Sequence, residues 1–149
     1  MMRALKPKMI QRSMKTDSLE KAISALMGTC SRIAITGAPL TGKTTLAKSV
    51  TESKSIPVIH GDDYIELGWS ESSKAIADAV NAIDGAVIVE GVQVARAIRK
   101  GMCIDALLYL SEPFEPLNKG QVSMAKGVET VLFDCQDKGL LDSVEVVSL

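Results

Sequence analysis

Residues Gly37-Ala-Pro-Leu-Thr-Gly42-Lys43-Thr44 match the pattern G-x-x-x-x-G-K-[ST] in full. Each residue type in that pattern has its own physical task. Gly37 and Gly42 let the backbone curl so that loop N–H groups turn toward a phosphate. The helix that should start at Lys43 adds unpaired donors and a partial positive charge at its N-terminus. The Lys43 ammonium suits the β- and γ-phosphates, and the Thr44 hydroxyl suits Mg²⁺. The expected nucleotide-contacting set is therefore Gly37, Ala38, Pro39, Leu40, Thr41, Gly42, Lys43, Thr44 and Thr45, with ATP or GTP as the nucleotide and Mg²⁺ as its companion. Two further acidic points stand out, Asp62-Asp63 and Glu90. A carboxylate near a phosphate loop can take a proton from an acceptor hydroxyl or support the metal.

These groups need a scaffold that brings them to one place, and the surrounding pattern supplies one. Residues 31–36 form a short apolar strand running into the glycine loop, and 43–53 follow with helical spacing. Residues 56–60 read as a second strand that ends at Gly61-Asp62-Asp63. Ser70 is placed to cap a helix with Ala75, Ile76, Ala79, Val80 and Ile83 inward. Residues 86–90 are a nearly unbroken apolar run of the buried-strand kind, closed by Glu90. A helix carrying Arg96 and Arg99 follows, then a strand at 104–110, a long helix over 115–138 and a last strand at 143–147. Before all of these, Asp17 and Glu20 mark the start of a helix that Gly28 would stop.

Strands alternating with helices imply right-handed crossovers and a parallel sheet, hence an α/β fold with helices on both faces. In such sheets ligands bind beyond the carboxyl ends of the strands. Asp62 and Glu90 both fall there, beside the loop. A solvated turn is the plain alternative for Asp62 and Asp63, and a solvated strand end for Glu90.

Composition narrows the function classes. The chain has 149 residues, 46% apolar and 23% charged, with a net charge near −1. Nothing in that balance points to nucleic acid, and five aromatic residues give little for base stacking. Cys30, Cys103 and Cys135 are scattered and His60 is the single histidine, which leaves a zinc cluster short of ligands. Reduced thiols and a cytoplasmic setting are expected, without a membrane span. Residues 1–16 carry five basic residues and no acid, and read as a flexible basic leader before a single domain at 17–149.

Together, the loop at 37–44, Asp62-Asp63-Tyr64 and Val87-Ile-Val-Glu90-Gly91 resemble the P-loop kinases of small molecules, in particular the uridine-kinase-like, gluconate- and shikimate-kinase-like and zeta-toxin-like enzymes. The resemblance spans roughly residues 31 to 112. It implies a three-layer fold around a five-stranded parallel sheet in the order 2-3-1-4-5, with transfer of a γ-phosphoryl group to a hydroxyl. It further implies Asp62 as base, Glu90 as support for Mg²⁺ or substrate, and Asp63, Tyr64, Arg96 and Arg99 as acceptor contacts. For the two arginines, a solvated helix face is an equal alternative.

The pattern departs from these kinases in one respect. They carry an arginine-rich lid after the fourth strand, whereas residues 111–138 contain no arginine. Closure would fall to Lys119, Lys126 or a second copy of the chain in a homodimer. A non-catalytic nucleotide-binding module is therefore the rival reading. A GTPase is not supported: Asn118-Lys119-Gly120-Gln121 lacks the carboxylate that recognises guanine, and follows the wrong strand.

Overall fold

The computed structural model describes residues 10–11, 31–39, 41–54, 56–111 and 113–148. The expected helix at 17–28 and Leu40 of the glycine loop lie outside the described residues. Among the described residues six strands form one parallel sheet: β1 (Ile10–Gln11), β2 (Arg32–Gly37), β3 (Val58–His60), β4 (Val87–Glu90), β5 (Ala106–Leu110) and β6 (Glu145–Ser148). Their spatial order is β1-β6-β5-β2-β4-β3. Counted from Arg32–Gly37, the five main strands thus take the order 2-3-1-4-5.

The sixth strand amends the sequence reading. Ile10–Gln11, inside the segment read as a flexible leader, pairs parallel with β6, Ile10 opposite Val147 and Gln11 opposite Ser148. The open edge of β6 has backbone donors and acceptors to satisfy, and two residues of almost any sequence can meet them.

Alternation along β2 sorts its side chains into two cores. Ile33 and Ile35 point to one face, where Ile88, Leu108 and Val147 join them beneath Leu46 and Ala47 of helix α1 (Lys43–Lys54). Ala34 points the other way, with Val87, Val89, Leu107 and Val146. Over that face lie α2 (Gly68–Ala82), α3 (Val94–Arg99) and α4 (Lys119–Asp137), through Ile76, Val80, Val94, Ile98, Val131 and Leu132 among others. Each such fully buried aliphatic side chain contributes about 1.5–3 kcal/mol. This central slab is what fixes the strand ends in space.

The helix starts differ from expectation for local reasons. The chain after β3 first makes a 3-10 turn, Gly61–Leu67, and Gly68 at φ 80° redirects it into α2. Ser70 is therefore inside the helix and does not cap it. At α4, Asn118 accepts from the Gln121 N–H at 2.8 Å while the Gln121 side chain accepts from the Asn118 N–H at 3.0 Å. The segment that resembled a guanine motif is thus a reciprocal helix cap. Among the described residues no helix is long and apolar enough to cross a membrane.

Gly37 and Gly42 make a direct comparison possible. Both have positive φ, 143° and 87°. A Cβ on Gly37 would also collide with the Leu110 carbonyl of β5, whereas a Cβ on Gly42 meets nothing. Gly37→Ala should destabilise the fold by roughly 2–4 kcal/mol and Gly42→Ala by about 1–2 kcal/mol. Denaturant midpoints measure both; equal losses would mean that the collision with β5 is relieved at no cost.

Candidate active site

Gly37 ends β2 at the centre of the sheet, and its neighbour Ala38 donates its N–H to the Leu110 carbonyl at 3.2 Å. That anchors the near end of the glycine loop to β5. At the far end the Gly42 carbonyl accepts the N–H of Leu46 at 2.9 Å, so α1 begins directly after the loop. The first turn of α1 contains no acidic residue. Helices ordinarily favour a carboxylate there to balance their dipole; here the position is left to Lys43, and the unbalanced positive end faces the crevice.

Lys43 is buried, at 9% exposure. Its ammonium folds over the loop, donating to the Ala38 carbonyl at 2.5 Å and to the Thr41 hydroxyl at 3.2 Å. Thr41 in turn donates to the Ala38 carbonyl at 3.0 Å. Among the described residues Lys43 forms no ion pair. Burial pushes its pKa down to about 8, against the opposing pull of the Glu90 and Asp62 carboxylates.

The second acidic point lies one strand away. Register places Glu90 opposite Ile35 of β2 on one side and His60 of β3 on the other. The Glu90 carboxylate is 2% exposed and accepts the Thr44 hydroxyl at 2.7 Å. Its other oxygen lies 3.4 Å from Nδ1 of His60, close enough for attraction but too poorly aligned for a hydrogen bond. Thr36 further ties β2 to this strand end, donating to the Gly91 carbonyl at 2.8 Å.

Asp62 follows β3 and lines the same cavity, which has a volume of about 550 Å³. Its chain neighbour Gly61 is held by Gln93, buried at 2% exposure just before α3. The Gln93 amide donates to the Gly61 carbonyl at 3.0 Å, and its oxygen is wedged against Gly61 and Gly91 without a hydrogen-bond partner among the described residues. Reversing the amide would set oxygen against the Gly61 carbonyl, so this orientation is the favoured one. The two pinched glycines are the chain neighbours of Asp62 and Glu90. Gln93 thereby lies between the turns that lead out of β3 and β4.

Of the residues singled out from sequence, Pro39, Thr41, Gly42, Lys43, Thr44, Thr45, Asp62 and Glu90 converge on the cavity. Ala38 lies beneath it, buried. Asp63 is exposed outside it, and Tyr64 packs against the core. Arg96 lines a neighbouring cavity. Arg99 is paired with Asp134 of α4 at 3.3 Å, away from the crevice. Sequence reading passed over His60, Gln93, Trp69 and Phe114. For Gln93 a signal existed: a polar residue three positions beyond a strand end that already carried an acid.

A strand, a glycine loop and a helix at the middle of a 2-3-1-4-5 parallel sheet, with acids at the end of the neighbouring β4 and just after β3 beyond it, decide the architecture. This is a parallel α/β fold of the phosphate-loop type. Among solved structures the chain is similar to a shikimate kinase from Acinetobacter baumannii in complex with shikimate, at 14% identity and TM-score 0.49 over 89% of this chain and 86% of that one. It is also similar to shikimate kinase from Aquifex aeolicus vf5, at 14% identity and TM-score 0.45 over 79% and 85%. No protein-family model matches the sequence, and no curated protein is significantly similar to it.

The donor set fits Mg²⁺. That ion takes hard oxygen ligands, often one or two carboxylates plus phosphate oxygens and water. Thr44 and Glu90 supply a hydroxyl and a carboxylate side by side. Among the described residues there is no cluster of three or more His, Cys, Asp or Glu side chains that would form an all-protein metal cage.

Two predictions follow from this geometry. Between pH 8 and 10.5 the unfolded chain binds more protons at Lys43 than the folded one, so stability rises with pH across that window. Below pH 8 the buried ammonium costs its full penalty. Lys43→Met should thus gain on the order of 1–3 kcal/mol at pH 7 in chemical denaturation, with the gain vanishing by about pH 10.5, while losing triphosphate binding. A variant less stable than the parent at pH 7 would contradict the assigned desolvation. For the clamp, Gly61→Ala should cost at least about 1 kcal/mol more in the parent than in a Gln93→Ala background, because the new methyl competes with the Gln93 side chain. Additive losses would show that the two do not share one space.

Proposed function

We propose that this chain is a phosphotransferase that moves the γ-phosphoryl group of ATP or GTP to a hydroxyl of a small molecule, in the presence of Mg²⁺. The observation that carries this reading is the convergence of Lys43, the Thr44–Glu90 pair and Asp62 on one cavity at the carboxyl ends of the strands. Loop N–H groups and the α1 N-terminus hold the phosphates, and Lys43 adds a charge at the β- and γ-positions. Thr44 and Glu90 are the residues that would hold Mg²⁺. When bound, the ion neutralises charge on the transferring phosphoryl group. Asp62 stands across the cavity, where it accepts the proton of the acceptor hydroxyl. The apolar walls Ile65, Trp69, Val92 and Phe114 supply a surface for the acceptor's body and exclude water. A cytoplasmic setting is part of this proposal.

The absence of arginine from residues 111–138 favours a second reading, a nucleotide-binding module with little or no turnover. The two separate on an acceptor screen of nucleosides, sugars and hydroxy acids scored by Mg²⁺-dependent formation of ADP. With an acceptor in hand, Asp62→Asn should lower kcat by about 10²–10⁴-fold while nucleotide affinity changes little. Parental turnover by Asp62→Asn would remove Asp62 as the base. Nucleotide binding by the parent without turnover on any acceptor would favour the module.

A further inference from the structure

Glu90 and His60 stand opposite one another at the ends of β4 and β3. Each lies two residues beyond a residue of the core under α1, Ile88 and Val58, so strand alternation puts both side chains on that same face. The Glu90 carboxylate is almost fully buried, yet among the described residues it accepts one hydrogen bond, from Thr44 to Oε2. The Lys43 ammonium is turned to the Ala38 carbonyl and the Thr41 hydroxyl instead. A carboxylate buried to that degree ordinarily needs further donors.

The nearest group on the β3 side is Nδ1 of His60, 3.4 Å from Oε1, the oxygen that Thr44 does not use. That nitrogen is buried and, among the described residues, has no hydrogen-bond partner. A buried ring nitrogen and a carboxylate oxygen, each short of a partner, thus face each other. A carboxylate offers only acceptors. Were Nδ1 the bare nitrogen, two lone pairs would oppose each other across the gap. With the proton on Nδ1 the same contact is attractive.

We propose that His60 is a positioning residue for the metal site, carrying its proton on Nδ1 and donating that N–H to Oε1 of Glu90. The contact holds the carboxylate from behind, so that Oε2 stays beside the Thr44 hydroxyl. The pair is out of line in angle and not in distance, and a small turn of the carboxylate closes it. Hydrogen bonds of this kind commonly tighten when a site fills. A partner behind a ligating carboxylate fixes its orientation, and its loss typically costs about 10–100-fold in metal affinity. This assignment rests on the phosphotransferase reading for Mg²⁺ at Thr44 and Glu90, but the His60–Glu90 contact is tested on the chain alone.

The test has two parts. His60 is the single histidine of the chain, so long-range proton–nitrogen NMR of the imidazole needs no assignment. At about pH 9, where an unperturbed imidazole is neutral, the full chain should show Nδ1 protonated and Nε2 bare. Glu90→Ala, which removes the acceptor, should shift the balance toward the Nε2–H form. The second part measures binding of a non-hydrolysable ATP analogue with and without Mg²⁺. His60→Leu should lower the affinity gained from Mg²⁺ by about tenfold or more and keep the metal-free affinity. His60→Asn sets an amide nitrogen near the place of Nδ1 and should restore most of the gain, whereas a space-filling role would be served better by Leu. A bare Nδ1 in the parent, a proton that stays on Nδ1 in Glu90→Ala, or an undiminished gain in His60→Leu would overturn the proposal. So would a His60→Asn no better than His60→Leu. Failure of the phosphotransferase reading looks different: the gain from Mg²⁺ depends on His60, yet no ADP forms from ATP with any acceptor.

Discussion

The parallel register between β2 and β4 governs the whole site. Setting Ile35 against Glu90 brings the last carboxylate of β4 level with the start of the glycine loop. From there the Thr44 hydroxyl, one residue into α1, reaches Glu90 at 2.7 Å. A slip of one residue would turn Glu90 to the opposite face of the sheet and bury its charge in the core. The register is protected by the alternation of Ile33 and Ile35 against Ala34, since the same slip would exchange the two cores. Thr36, bonded to the Gly91 carbonyl, adds a polar constraint at the end where the chemistry is placed.

Around that axis the site accepts local costs. Lys43 is a buried cation, and its desolvation lowers its pKa despite the nearby Glu90 and Asp62 carboxylates. Among the described residues, the buried oxygen of Gln93 between two glycines has no hydrogen-bond partner. Phe114 at 67% exposure and Trp69 at 45% present apolar surface at the cavity mouth. Folding alone favours none of these choices, and all of them surround the same crevice. Locally inconsistent residues concentrate where a ligand would relieve them.

The parts of this site that were legible in sequence are those with a strong local signature. The glycine loop needs its residue types in order, and the apolar runs at 31–36 and 86–90 mark buried strands whose ends must lie near it. Asp62 and Glu90 then follow from position alone. Contacts made between distant segments left no such mark. Nothing in the order of residues says that Gln93 reaches back to Gly61, or that Asp134 takes Arg99 while Arg96 lies over the Trp69 ring. The edge strand at Ile10–Gln11 was invisible for a related reason: backbone pairing at a sheet edge asks for no particular side chain. The start of α2 was misplaced because Gly68, by its positive φ, ended a 3-10 turn that apolar periodicity does not register.

Phosphoryl transfer at this cavity requires that Thr44 and Glu90 form a metal site that works together with the phosphate loop. Binding of a non-hydrolysable ATP analogue, measured with and without Mg²⁺ for the parent and for Glu90→Gln, addresses that directly. The parent should bind the analogue at least about tenfold more tightly with Mg²⁺, as a charge-assisted contact would give. Glu90→Gln should lose that gain while keeping the metal-free affinity, because the loop and Lys43 are untouched. If Mg²⁺ leaves the parent's affinity unchanged, or if Glu90→Gln weakens binding equally with and without the ion, Glu90 serves the sheet and not the nucleotide.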